Sequence, residues 1–382
     1  MTITTSSDLD QLADLAARSV ALIESLQHAG GAYPASPTFS AYQGYSWFRD
    51  GAFIADGMSA AGAVESASRF FDWCSRMLDQ RRDRVAEIVA AEAAGTPLPD
   101  ERMLATRFTF DGDEGDDDWW DFQTDGYGTW VWACIAHADR HGLDLDRWAE
   151  GIQLSVDYLL ATWSRPCYDW WEEHAAETHV STLGCVIAGF EAAARSDLLT
   201  ADRAESASSA AASARVLIAD RGTHDGHLAK WFGSAAVDGS LAAVIAPLGV
   251  VEATSPLGLA SIRAIETQLS VDGGVHRYLL DTFYGGGQWP LLSCFLGLAH
   301  ARAGDRGAAL RLLTWAARTE TDEGFLPEQV PDHLLAPERR DEWIERWGPV
   351  ATPLLWSHAM FVRLAVELDV LQPTTHSAEV RA

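Results

Sequence analysis

The sequence predicts an all-α protein: a single domain over residues 1–382 in which six helical hairpins close into a double-layered (α/α)6 toroid. Three observations lead there. Apolar residues recur at helical spacing along nearly the whole chain. The twelve helical segments so marked fall into six consecutive pairs, without a repeat of residue identity. Nine of the sixteen tryptophans lie in, or close to, the segments that lead into the second helix of a pair.

The first segment, 8–29, sets Leu12, Leu15, Val20 and Ile23 on one face and stops at Gly30-Gly31. Its partner is 50–61. The further pairs are 64–93 with 126–142, 146–163 with 178–196, 200–221 with 238–249, 255–270 with 287–303, and 305–319 with 352–370. Segment 200–221 is mostly alanine and serine on one face, which allows close packing. Strand signals are few, so at most a small β-hairpin is expected, with one arm in HLAKWFG, 227–233. No run rich in Pro, Gly or Ser divides the chain. In a ring of alternating outer and inner helices, the lead-ins to all the inner helices open at one end, where a rigid scaffold can present functional side chains.

Composition narrows the partners. The chain has 28 basic and 55 acidic residues, a formal charge of −27. That charge repels a phosphate backbone and anionic lipid, so neither nucleic acid nor a membrane surface is expected. The amino terminus has neither a basic cluster nor an apolar core, and no uninterrupted apolar run is long enough to span a bilayer. The five cysteines are odd in number and none is set at CxxC spacing, which fits packing residues in a reducing cytosol. A cytoplasmic protein without metal or organic cofactor is expected; oligomeric state is left open.

What gathers on the lead-ins is chemically specific. Trp47, Trp170, Trp171, Trp289 and Trp356 stand among Arg49, Asp50, Gln123, Asp125, Glu172 and Glu173. Indole faces stack on the C–H faces of sugar rings, while carboxylates, amides and guanidinium groups satisfy hydroxyls. Two carboxyl groups on opposite sides of a glycosidic bond suffice for hydrolysis, one protonated and one ionised. In CYDWWEEH, 167–174, the indole of Trp171 and the charge of Glu173 would both favour a neutral Glu172, a proton donor. In GFLPEQV, 324–330, Glu328 follows an apolar turn before the last inner helix and is the candidate proton acceptor.

Five short motifs carry a resemblance. WFRD at 47–50, DWWEE at 169–173, RYLLDTFYGG at 277–286, LPEQ at 326–329 and LLWSHA at 354–359 resemble, in order, the motifs of the glucoamylase family of glycoside hydrolases. The likeness covers residues 42–359. It implies an inverting, exo-acting enzyme on an (α/α)6 toroid, with Glu172 as general acid and Glu328 as general base. It implies that Arg49, Asp50 and Arg277 hold hydroxyls of the terminal glucose, that Trp47, Trp171 and Trp356 line the pocket, and that Glu173 meets the leaving-group sugar. Tyr42 would sit near the attacking water, although one extra residue separates it from Trp47. Phe283 stands where the family often has tyrosine, which would remove a hydroxyl partner, and Trp170 stands where it often has leucine. The expected substrate is a short α-gluco-oligosaccharide, α-1,6-linked isomaltose first, with trehalose or short α-1,4 chains as alternatives.

Other patterns compete. DDDWWD, 116–121, contains the DDxxD of helical terpenoid synthases, but no second metal motif or diphosphate-binding basic residues accompany it. DGDEG, 111–115, begins like a calcium loop, yet Gly115 stands where a ligand is required, so a solvated acidic loop is expected. His174, His179, His276 and His358 raise a sugar epimerase with histidine proton shuttles, or a non-catalytic sugar-binding protein. His174 and His179, five apart, would not share a helix face and make a poor metal pair.

Overall fold

The computed structural model describes residues 6–115, 119 and 122–374. In chain order its helices are α1 (Ser6–Leu26), α2 (Phe48–Ala60), α3 (Val64–Asp79), α4 (Arg82–Ala93), α5 (Asp125–His141), α6 (Ala149–Thr162) and α7 (Val180–Arg195). There follow α8 (Ala201–Arg221), α9 (Leu241–Ile245), α10 (Pro256–Leu269), α11 (Pro290–Arg302), α12 (Arg306–Ala317), α13 (Arg340–Trp347) and α14 (Leu355–Glu367).

Six of these close a ring. Helix α2 packs on α5, α5 on α7, α7 on α9, α9 on α11, α11 on α14, and α14 back on α2. The outer layer covers them, α3 on α2, α8 on α7, α10 on α9, α12 on α11 and α1 on α14. The fold is thus the expected (α/α)6 toroid. Sequence explains which helices go inside. Every residue of α2 is buried, and α11 reads PLLSCFLGL, apolar all round, as a helix covered on every side must be. Where α5 crosses α7, Gly128 lies against the backbone of Cys185 and Val186, and Gly189 against that of Gly128. A Cβ on Gly128 would lie 2.4 Å from the Cys185 carbonyl oxygen, so only glycine permits that approach. Toward the other end of the ring, buried Asp56 is shared by Arg140 at 2.8 Å and Arg363 at 3.0 Å, which joins α2, α5 and α14.

Several expectations need correction. Segment 64–93 is two helices, broken at Gln80-Arg81, where the Arg81 side chain turns to Glu114 and the carbonyls of Met77 and Gly112. Segment 238–249 shrinks to Leu241–Ile245, because Ala246 precedes Pro247 and is held extended (φ −149°, ψ 130°). Helix α13 was not foreseen. Nor were two small antiparallel sheets, Tyr45–Trp47 with Arg107–Thr109, and Ser270–Val271 with Gly274–His276 and Gln288–Trp289; the expected hairpin is Thr223–His224 with His227–Leu228. Of the arm at 227–233 only His227–Leu228 is strand. Of DDDWWD, all but Trp119 lies outside the described residues.

Candidate active site

A cavity of about 290 Å³ opens where the inner helices begin. Its wall comes from the lead-ins of α2, α7, α11 and α14, joined by Tyr42, Arg277, Glu328 and helix α13.

On one side is the turn that carries Glu172. Asp169, 2 % exposed, organises it: one carboxylate oxygen accepts the backbone N–H groups of Trp171 and Glu173, each at 2.9 Å. The turn closes through Asp169 N–H to the Glu173 carbonyl and Glu172 N–H to the Asp169 carbonyl, both 3.0 Å. Glu172 and His174 are left-handed, at φ 62° and 54°, a conformation that non-glycine residues seldom hold. The indole that bonds the Glu172 carboxylate is not its neighbour Trp171 but Trp47, whose Nε1 donates to Oε1 at 2.8 Å. Trp171 Nε1 turns instead to Asp238, 3.0 Å away. Glu173 accepts a hydrogen bond from the Tyr278 hydroxyl and lies 3.6 Å from Arg277.

Glu328, 2 % exposed, opens on the same cavity. Its Oε1 accepts from the Tyr42 hydroxyl at 2.9 Å, while the buried Oε2 has no partner among the described residues. Burial pushes its carboxyl up to about 8; Tyr42 and Arg277 oppose the rise, and Asp50 and Asp281 add to it. The Tyr42 and Trp47 rings, 5.4 Å apart, complete a chain of contacts from Glu328 to Glu172.

Between them the cavity is aromatic and charged. Trp356 stacks on Phe53 (5.6 Å, 12°) and packs against Trp170 at 5.6 Å. Arg49 and Asp50 lie together on the wall, 3.4 Å apart. Burial drives Asp50 up to about 7 against the pull of Arg49, with Glu172 and Asp125 adding to the rise. Gln123 and Asp125 are not on the wall. They lie behind Arg49, whose Nη1 donates to Gln123 at 2.7 Å and to Asp125 at 3.4 Å, so they orient the guanidinium rather than face a ligand. Arg277 is gripped by Asp281, and its guanidinium lies 5.1 Å from Trp171 and 5.5 Å from Trp289. Phe283 packs on Trp343 at 5.1 Å.

Helix α13 is the part of the wall that sequence reasoning missed. It supplies Trp343, Arg346 and Trp347. The signal was present in WIERW, two tryptophans four apart on one helical face. Trp119, like Trp343 and Trp347 one of the nine lead-in tryptophans but not a candidate site residue, lines the cavity too, as do Ala35 and Leu354, which carried no signal.

The four histidines face the scaffold, and none lines the cavity. His174 packs against Trp231, His179 Nε2 donates to the His174 carbonyl, and His276 Nδ1 donates to the Gly286 carbonyl. His358 accepts Leu326 N–H at Nε2 and donates from Nδ1 to Ser19, and burial pushes its pKa down to about 3. In DGDEG, Glu114 binds Arg81 and Arg84, so this loop is anchored rather than freely solvated. All five cysteines are free and buried. Among the described residues no cluster of three or more His, Cys, Asp or Glu side chains is set to hold a metal ion. No described helix is long and apolar enough to cross a membrane.

A closed (α/α)6 ring, ending in a cavity of indoles, guanidinium groups and two separately held carboxyls, defines a carbohydrate-active toroid. The family model described as glycosyl hydrolases family 15 matches residues 12–324. Isomaltose glucohydrolase of Kribbella flavida is 53 % identical over 374 residues, 98 % of this chain and 97 % of that protein. A glycosidase solved as a substituted form in complex with glucose shares 53 % identity, with a TM-score of 0.94 over 96 % of this chain and all of that one. A bacterial glucoamylase complexed with acarbose, at 19 % identity, shares the fold, with a TM-score of 0.73 over 94 % of this chain and 56 % of that one. The chain belongs to glycosyl hydrolases family 15 and is a glycoside hydrolase.

Proposed function

We propose that this single catalytic domain is an inverting, exo-acting α-glucosidase. It releases β-glucose from the non-reducing end of short α-gluco-oligosaccharides, isomaltose first. Glu172 protonates the bridging oxygen as the glycosidic bond breaks. Glu328 takes a proton from a water attacking the opposite face of the ring, with about 6.5–9.5 Å between the two carboxyl groups to admit it. Arg49, Asp50 and Arg277 hold hydroxyls of the glucose, and the surrounding carboxylates stabilise the oxocarbenium character of the transition state.

One observation carries this reading: two carboxyls from distant parts of the chain open on one cavity, each held by a different aromatic donor. The partnerless Oε2 of Glu328 supports a seat for water beside Tyr42. Likeness to an isomaltose glucohydrolase at 53 % identity supports the α-1,6 linkage. No cofactor enters the chemistry. Free thiols throughout suit a reducing cytoplasm.

The test is incubation with isomaltose, maltose, nigerose, kojibiose and trehalose, following the anomeric proton of newly released glucose by NMR. Isomaltose should be cleaved fastest, and β-glucose should be seen first. Initial α-glucose contradicts inversion; cleavage of trehalose alone overturns the substrate.

A further inference from the structure

Behind the Glu172 turn lies a buried charge cluster that the chemistry above does not use. Lys230, 3 % exposed, extends its ammonium to 2.5 Å from Asp238 and 3.1 Å from Asp169, and 3.8 Å over the ring of Tyr278. Each of these three partners grips the acid turn. Asp169 accepts the N–H groups of Trp171 and Glu173, which flank Glu172. Asp238 accepts the Trp171 indole N–H, and Tyr278 donates to Glu173. The backbone of Lys230 is itself fixed, its carbonyl accepting Val180 N–H at 3.2 Å where α7 starts and its N–H donating to Ala236 at 2.8 Å.

A turn with left-handed residues at Glu172 and His174 needs such restraint, because the chain left alone would relax. The cluster is also all-or-none. Two buried carboxylates share one cation, and without it each loses the one ion pair it makes among the described residues. The Asp169 carboxyl is held below its ordinary range, since Lys230, with His179, outweighs the effect of burial.

We propose that Lys230, with Asp169 and Asp238, positions the proton donor by clamping turn 169–174 so that Glu172 meets the bridging oxygen. The proposal rests on Glu172 being that donor. Lys230 is off the cavity wall, so it acts through the turn it holds and not by contact with substrate.

A leaving group that needs no proton separates positioning from general damage. In α-D-glucosyl fluoride the C–F bond breaks with its electron pair passing to fluoride. Water adds to the anomeric carbon and yields its proton to Glu328, so Glu172 is dispensable. Lys230→Met, Lys230→Arg and Glu172→Gln are compared on the best disaccharide of the panel above and on the fluoride, with circular dichroism as the check on folding. Glu172→Gln should lose about 10²-fold or more in kcat on the disaccharide and stay within about tenfold on the fluoride. Lys230→Met should lose about 10- to 100-fold on the disaccharide and stay within about threefold on the fluoride, and Lys230→Arg should recover part of the loss. Equal losses on both substrates in folded Lys230→Met, or none on the disaccharide, overturn the clamp while leaving the donor intact. Equal losses in Glu172→Gln overturn the donor assignment and the clamp with it. Should Lys230→Met fail to fold, Asp238→Asn decides: the same split supports the clamp, and equal loss ends it.

Discussion

Segment 326–330 is held mainly by main-chain bonds, to which the side chains of His358 and Ser357 add. Leu326 N–H donates to His358 and its carbonyl accepts Leu354 N–H at 3.0 Å, Glu328 N–H donates to Ala351 at 2.9 Å, and Val330 pairs with Gln288 in both directions. Segment 169–174 reaches Glu172 through side-chain charges, with Lys230, Asp169 and Asp238 behind it and two left-handed residues within it. Main-chain bonds survive most substitutions, so the place of the proposed proton acceptor is a property of the toroid. The place of the proposed donor is a property of a few named residues. One scaffold can therefore keep its base while its acid side is retuned.

The largest effect that can strike this contrast is removal of the acceptor. Glu328→Gln should lower kcat by about 10²–10⁴-fold on both the disaccharide and the fluoride, since water must give up its proton in either case. The same change should stabilise the fold in mild alkali. Folded Glu328 sits at about 8, against an ordinary 4.5. Between those values the folded chain binds more protons than the unfolded one, so stability falls as pH rises. Glutamine carries no such cost. Thermal unfolding should show the variant gaining on the parent from pH 5 to 8, by on the order of a few kcal/mol at the upper end. A gain that grows toward acid pH would refute the burial argument.

A subtler blow to the base side is Gly287→Ala. The added Cβ would lie 2.4 Å from the Val330 carbonyl oxygen and 2.6 Å from Gln329 Oε1, within the very pairing that holds segment 326–330. Overpacking of this kind costs about 1–3 kcal/mol. Because it moves the acceptor and not the donor, disaccharide and fluoride rates should fall together, opposite to the split expected of Lys230→Met. Denaturant midpoints and the two kcat values check it. A split there would mean that the two segments are mechanically one.

The same contrast explains what could be read from the chain. Helical periodicity and the tryptophans on the lead-ins were enough for the ring and for the end at which it opens, because both are local patterns. Glu172 and Glu328 stood out by aromatic company and by motif. Lys230 did not. In HLAKWFG it reads as one residue of a strand arm, and its partners Asp169 and Asp238 meet it only after the ring has closed. Gln123 and Asp125 lie on a lead-in as expected, yet chain position does not tell which side of Arg49 a side chain takes. Pro247 inside 238–249 was a local signal for the short α9, but the helical periodicity on either side of it masked the break. WIERW has the four-residue spacing of a helical face, but it is too short to stand out as a helix, and nothing local says what that face would cover.

The finest probe is a single hydroxyl that the base side owes to a loop outside its own segment. Tyr42 donates to Glu328 Oε1 at 2.9 Å, and a hydrogen bond to the charged form favours it. Tyr42→Phe removes that support and leaves burial, so Glu328 should ionise at a pH above its present value of about 8. Disaccharide hydrolysis would blur the shift, because two carboxyls then shape the profile. With α-glucosyl fluoride the donor drops out, and the rate should rise with pH through ionisation of Glu328 alone. In Tyr42→Phe that rise should move upward by about one pH unit, the size expected for a hydrogen bond to a charged group. The rate above the rise should fall far less than in Glu328→Gln, since the acceptor stays in place on its main-chain bonds. A rise that stays put would mean that Tyr42 serves the attacking water and not the carboxylate, and one that moves down would reverse the electrostatics argued for this wall.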